Sequence, residues 1–356
     1  MNFNFYLVKS FRILLFPFSL IVWLWVSIRN WMFDKGYFKA ATFNMPLICV
    51  GNISVGGTGK SPMVEYIIRM LQPEFKIATL SRGYKRKTKG YALANANTTA
   101  LEIGDEPMQF HLKFPDLPVA VGEERMEAIP QLLHDEPGTQ VIILDDAFQH
   151  RRVKAGYNMV LTDCNNLYTQ DWFLPTGDLR DNRSSADRAD ILIVTKCAED
   201  FSVTDKRETI DKLKPTPTQH VFFSTISYGV PYHVNTRETF YLHEHCEVLL
   251  VCGIANPRPL KQYLEKQTAT YLEKTYNDHH IFSIDDLNEI KDRFSKLDGL
   301  QNIILTTEKD AVRLLKFEKE LADMPLYVLP IEHKILFNEA QKLQSLIRDF
   351  IVKFKM

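Results

Sequence analysis

From residue 46 onward, the apolar residues fall mainly in short unbroken runs. Residues 46–50, 76–80, 119–121, 141–144, 159–162 and 191–195 are rich in Ile, Val and Leu and too short for helices. Such runs predict strands buried on both faces. Helical patterns lie between them at 62–70, 108–112 and 123–133. Alternating strand and helix over 46–196 predicts a parallel sheet covered on both sides, the α/β class of P-loop nucleotide-binding proteins. Residues 221–229 add a strand, and 231–241 read as a hairpin connector with little core potential. The βα rhythm restarts at 247–257, continues through helices at 258–267 and 285–297 and a strand at 302–306, and closes with a helix at 337–352. The expected division is an N-terminal helix over 1–34, a P-loop domain over 35–228, a linker over 229–246 and a smaller C-terminal α/β domain over 247–356.

Residues 1–33 follow another pattern. Phe11, Phe16, Phe18, Trp23, Trp25 and Trp31 stand among Leu, Ile and Val, with Lys9, Arg12 and Arg29 at the edges or within. The uncharged run from Ile13 to Ile28 is shorter than the ~20 residues of a spanning helix, and it contains Pro17. No small-residue cleavage site follows, so a removed signal peptide is not expected. Aromatic anchors with basic flanks predict a helix lying in a membrane interface. A buried core helix is the plain alternative, and a single short span a lesser one. Lys35 and Lys39 follow, which puts the remainder on the cytoplasmic side.

Composition adds little to this picture. The 356 residues are 45% hydrophobic and 24% charged, with a net charge of -1, so no nucleic-acid partner is expected. The five cysteines form no C-x-x-C pair and read as small buried hydrophobes in a reducing compartment.

Candidate chemistry starts at the first strand. After it come Ser54-Val55-Gly56-Gly57-Thr58-Gly59-Lys60-Ser61 and a helix with Pro62 in its first turn. Strand, glycine-rich loop, Gly-Lys-Ser and helix is the order of a loop whose N–H groups cradle phosphates. Lys60 reaches the outer phosphates of ATP in such a loop, and the Ser61 hydroxyl sits on Mg²⁺. The usual first glycine of the pattern falls on Ser54. An ordinary glycine-rich turn is the bland alternative. The run 141–144 ends in Asp145-Asp146, the pattern of the second P-loop strand, whose acid serves Mg²⁺. Gln149 and His150 follow closely and are placed near the phosphates. Arg82 opens a run of five positive charges ending at Lys89, either a solvated loop or a grip on an anionic headgroup. Asp105, before Glu106-Pro107, reads on spacing alone as a helix N-cap. Arg180 ends a Pro/Gly loop beyond a strand's C-terminal end, where open sheets bind ligands. His279-His280 have no Cys/His cluster to make a metal site with. They read as a surface loop or as a catalytic helper for a carboxylate.

Taken in order, these segments resemble the tetraacyldisaccharide 4′-kinase family of lipid A synthesis. The resemblance rests on Val50-Gly51-Asn52 with Gly56 to Pro62, Ser81-Arg82-Gly83-Tyr84, Gly104-Asp105-Glu106-Pro107 and Asp145-Asp146-Ala147-Phe148-Gln149-His150. Leu174-Pro175-x-Gly177-x-Leu179-Arg180, Gly253-Ile254-Ala255-Asn256-Pro257 and Asp278-His279-His280 complete it. Ala147 stands where members often carry Gly. The resemblance implies ATP-dependent phosphorylation of the 4′-hydroxyl of a tetraacylated glucosamine disaccharide 1-phosphate, at the cytoplasmic face of the inner membrane. The protein would be peripheral or N-terminally anchored, with a monomer as the working expectation. It implies Asp105 as base with His279 as dyad partner, and Arg125 and Arg180 steadying phosphate or substrate. Lys60, Ser61, Asp145 and Asp146 would handle ATP and Mg²⁺, with Arg82, Gln149 and His150 toward the substrate. The competing reading is a membrane-associated P-loop ATPase acting as a regulatory switch. Such switches carry Lys directly before Gly-Gly, where this chain has Val55. A non-enzymatic adaptor with a degenerate nucleotide site is a third, opposed by intact Lys60, Ser61 and Asp145.

Overall fold

The computed structural model describes residues 12–254, 256–268, 270–278, 280–299 and 301–354. The role expected of His279, the Ala255 of the Gly253–Pro257 motif and the segment 1–11 fall outside them.

Two sheets organise the chain. The larger has nine strands in the order β14-β8-β7-β6-β1-β5-β2-β4-β3. In sequence these are β1 (Leu47–Asn52), β2 (Ile77–Ser81), β3 (Ala92–Leu93), β4 (Val119–Val121), β5 (Val141–Asp145), β6 (Tyr157–Asp163), β7 (Ile191–Thr195), β8 (His220–Tyr228) and, far downstream, β14 (Ile331–Ile335). Neighbours run parallel except β3 on β4 and β14 on β8. The smaller sheet has the order β11-β10-β12-β13-β9, from β9 (Tyr232–His233), β10 (Cys246–Cys252), β11 (Thr270–Thr275), β12 (Gln301–Thr307) and β13 (Leu326–Leu329).

The unbroken apolar runs have a direct cause. Along β1, Leu47 and Cys49 join a core on one face, while Ile48 and Val50 join the core on the other. Helices Arg125–Asp135 and Val203–Leu213 cover the first face. The phosphate-loop helix Lys60–Leu71, the helix Asp105–Lys113 and the C-terminal helix Ala340–Phe354 cover the second. Met63, Ile67, Ile68 and Leu71 are buried in that second core. Each stabilises its helix by roughly 1.5–3 kcal/mol.

The stretch 247–356 does not stay in one unit. After β13 the chain returns to the large sheet, where β14 pairs with β8. Leu343, Ile347 and Ile351 of the last helix pack in the same core as the phosphate-loop helix. The stretch 231–241, expected as a connector, supplies β9 to the small sheet and buries Val234. Residues 285–297 match the helix Ile284–Phe294.

The N-terminal helix Phe16–Asp34 carries Pro17 in its first turn, where a missing N–H costs nothing. Its small polar residues face the protein. Ser19 Oγ donates to Phe173 O (3.0 Å) and Asn30 Nδ2 to Asp181 Oδ1 (2.7 Å). Ile13, Leu14, Phe18, Ile21, Trp23 and Trp25 remain exposed.

Candidate active site

β1 lies between β5 and β6, with Val50 opposite Asp145 on β5. The acid therefore emerges at the level where the glycine-rich loop begins. Gly51 is needed there, because a Cβ would lie 2.7 Å from the Cβ of Phe148. Gly59 adopts φ +83, and the helix starts at Lys60. Three strands pin the loop between these glycines. Asn52 Nδ2 of β1 donates to Thr58 Oγ1 (2.9 Å), and Thr195 Oγ1 of β7 donates to Thr58 O (2.9 Å). His333 Nε2 of β14 donates to Gly59 O (2.9 Å). A carbonyl only accepts, so the ring proton sits on Nε2 and Nδ1 accepts from Ser224 Oγ (3.0 Å). Burial pushes the His333 pKa down to about 4, so this brace is neutral. Ser54 is buried beside Leu179, while Val55, Gly56 and Gly57 are exposed.

Asp146 takes a left-handed backbone, φ +47, which a short polar side chain tolerates. Arg180 grips its carboxylate and also the Asn52 side chain. Lys60 Nζ stands 3.8 Å from Asp146 and 3.4 Å from Asn52 Oδ1. Burial alone would raise the Asp146 carboxyl, but Lys60 and Arg180 outweigh it and hold it below the ordinary range. Asp145 has the opposite surroundings. Burial first, then Glu106 and Asp146, push its carboxyl up to about 7. Its Oδ2 accepts from Ser81 Oγ (3.1 Å), and its buried Oδ1 has no hydrogen-bond partner. An unpartnered carboxylate oxygen crowded by other acids suits a hard cation. No cluster of three acidic or soft ligands occurs among the described residues. Mg²⁺ is commonly held by one or two carboxylates together with phosphate oxygens and water.

The family model for tetraacyldisaccharide-1-P 4′-kinase matches residues 11–351. A tetraacyldisaccharide 4′-kinase of Flavobacterium johnsoniae is 46% identical over 96% of this chain and 97% of its own. One from Bacteroides thetaiotaomicron is 42% identical over 95% and 92%. The chain belongs to the tetraacyldisaccharide-1-P 4′-kinase family. A crystal structure of LpxK from Aquifex aeolicus in complex with ATP superposes with a TM-score of 0.74 at 25% identity, covering 96% of this chain and 99% of that one. Membership decides against both the regulatory ATPase and the adaptor. Ala147 is unstrained in this kinase, since the left-handed residue is its neighbour Asp146.

The other expected site residues divide. Arg125 is 2% exposed; it donates to Gly122 O and Glu123 O, and its buried Nε has no hydrogen-bond partner. Burial lowers its pKa, the field of Asp145 opposes this, and the exposed Arg82 adds to the lowering. Gln149 Nε2 donates to Asn52 O (2.6 Å), and Gln149 O accepts from Arg29 Nη2 (2.8 Å). His150 lines a cavity of about 590 Å³ together with Trp25, Arg29, Phe33 and Arg151. Burial, then Arg125, push its pKa down to about 4. Asp105 is the first residue of its helix; Gly104 takes the cap position, so the capping reading is corrected. The Asp105 carboxylate instead meets Arg313 of the helix Glu308–Leu314, at 2.9 Å from Nε and 2.7 Å from Nη2. Glu106 was not singled out from the sequence, although it lies in the same Gly-Asp-Glu-Pro motif. Asn52 and Ser81 stand in the motifs that carry the resemblance but received no role of their own from the sequence. His333 sits mid-strand with no motif around it.

Proposed function

We propose that this kinase transfers the γ-phosphate of ATP to the 4′-hydroxyl of a tetraacylated glucosamine disaccharide 1-phosphate, with Asp105 accepting the hydroxyl proton. Phosphoryl transfer needs in-line positioning and charge neutralisation more than covalent chemistry. Backbone N–H groups of 56–61 and Lys60 hold the phosphates. Arg180 is fixed by Asp146 and Asn52 and keeps Lys60's partners in place. Ser61 and Asp145 would hold Mg²⁺, which when bound offsets charge on the phosphate oxygens. The proton leaves the sugar oxygen as its bond to phosphorus forms and the bond to ADP breaks. Arg125 would steady the transferring phosphate or the substrate, and Arg82, Gln149 and His150 would serve the acceptor side.

One observation carries the reading. Arg29 on the N-terminal helix is tied to Gln149, Gln149 to Asn52, and Asn52 to Thr58 of the phosphate loop. The helix that walls an aromatic and basic cavity is thus three hydrogen bonds from the phosphate loop, which supports an acceptor that arrives on a lipid. We infer that this helix lies in the cytoplasmic leaflet of the inner membrane, its exposed apolar side toward the acyl chains. The test is labelled Mg-ATP with an acylated disaccharide 1-phosphate in mixed micelles. Label on the lipid is expected, and Asp105→Ala should abolish it while nucleotide binding survives. Undiminished transfer by that variant would remove Asp105 from the mechanism.

A further inference from the structure

The helices Asp105–Lys113 and Glu308–Leu314 pack against each other, one from each sheet unit. Arg313, 8% exposed, directs Nε and Nη2 to the same oxygen of Asp105, Oδ2. Two charge-assisted donors on one oxygen hold that end of the carboxylate in place against the helix that carries it. Arg313 is itself fixed. Its Nη1 donates to Asp310 Oδ1 (3.2 Å). Asp310 is fully buried, and its Oδ2 accepts from Gly253 N–H (2.9 Å) and Thr307 Oγ1 (2.8 Å). A Cβ at Gly253 would crowd Asn277 O at 3.1 Å and Asp310 Oδ1 at 3.2 Å. The ends of β10 and β12 therefore converge, through Asp310, on one guanidinium that holds one carboxylate of the other unit.

We propose that Arg313 is a positioning residue for Asp105, and that the small sheet exists in part to aim the proton acceptor. This rests on the assignment of Asp105 as base. A guanidinium takes no proton from an alcohol, so Arg313 acts only by aiming the carboxylate that does. The other end of the same helix pair provides the control. Lys113 Nζ bridges Glu65 (2.6 Å) and Glu308, joining the two units far from Asp105 along the helix.

The experiment compares Arg313→Met, Arg313→Lys, Lys113→Met and Asp105→Ala in the full-length protein, with Mg-ATP and an acylated disaccharide 1-phosphate. For Arg313→Met, kcat should fall about 100-fold with both KM values within twofold of wild type, since aiming is lost and binding is not. Arg313→Lys should fall between the two. Guanidinium ion added to Arg313→Met should restore part of kcat and do nothing for Asp105→Ala. Lys113→Met should keep kcat within about threefold. If Arg313→Met does not fold, Arg313→Lys carries the test through its kcat. An inactive Asp105→Ala beside a fully active arginine variant overturns the inference alone, as does an equal loss from Lys113→Met. An active Asp105→Ala overturns the base assignment and this inference with it.

Discussion

Asn52 shows how much one residue at a strand end can organise. Its side chain meets Thr58, Lys60 and Arg180, and its carbonyl accepts from Gln149 and Arg180. Gly59 and His333 form a second such point. A methyl group at Gly59 would come within 2.8 Å of His333 Nε2 on a backbone of φ +83. Gly59→Ala should therefore weaken binding of a fluorescent ATP analogue by at least tenfold, because strain of order 1–3 kcal/mol acts on the loop that holds phosphate. His333 also predicts a pH effect. Its folded pKa of about 4 lies below the ordinary histidine value, so the unfolded chain binds more protons between the two. The stability it contributes is present above about pH 6.5 and is lost as pH falls toward 4. Between pH 7 and pH 5, the wild-type protein should lose more melting temperature than His333→Gln does. Equal losses would mean that His333 does not titrate in unfolding.

At the scale of elements, the facing helices carry more negative than positive charge. Glu65 is fully buried on the phosphate-loop helix, and Lys113 serves both it and Glu308. Burial first and Glu308 second push Glu65 up to about 7. A group held above its unfolded pKa carries a cost that grows as pH rises through the folded value. Glu65→Gln keeps an acceptor for Lys113 and leaves Glu308 as its ion partner. It should raise the melting temperature clearly at pH 8 and much less at pH 4.5, where the unfolded carboxyl also holds much of its proton. The elements also show what a sequence reveals. The phosphate loop, β5 with its acids and the βα rhythm were legible because each signal lies within a dozen adjacent residues. The return of β14 was not, since Ile331–Ile335 finds its partner about a hundred residues upstream in β8. Asp105 was read as a cap because its actual partner, Arg313, is 208 residues away.

At the scale of the molecule, the outer side of the N-terminal helix sets the working environment. The most apolar 18-residue stretch within Ile13–Asp34 has a mean hydropathy of 1.6, and 17% of it is buried. Leu14, Phe18 and Ile21 are 70%, 59% and 66% exposed. Replacing all three by Ser should lower binding to anionic lipid vesicles at least tenfold, by cosedimentation, since each large apolar side chain contributes roughly 1.5–3 kcal/mol when buried. ATP binding in detergent should be unchanged. Unaltered cosedimentation would rule out this side of the helix as a lipid-binding surface.

The two sheets are joined by two crossings, β8 to β9 and β13 to β14, that run side by side. Gly229 N–H donates to Pro330 O (3.0 Å) between them. β14 leads directly from one of them to His333, which holds Gly59, and the small sheet entered by the other carries Arg313 to Asp105. The phosphate loop and the Asp105 carboxylate are thus braced from the same doorway in the chain, and slack there would loosen both.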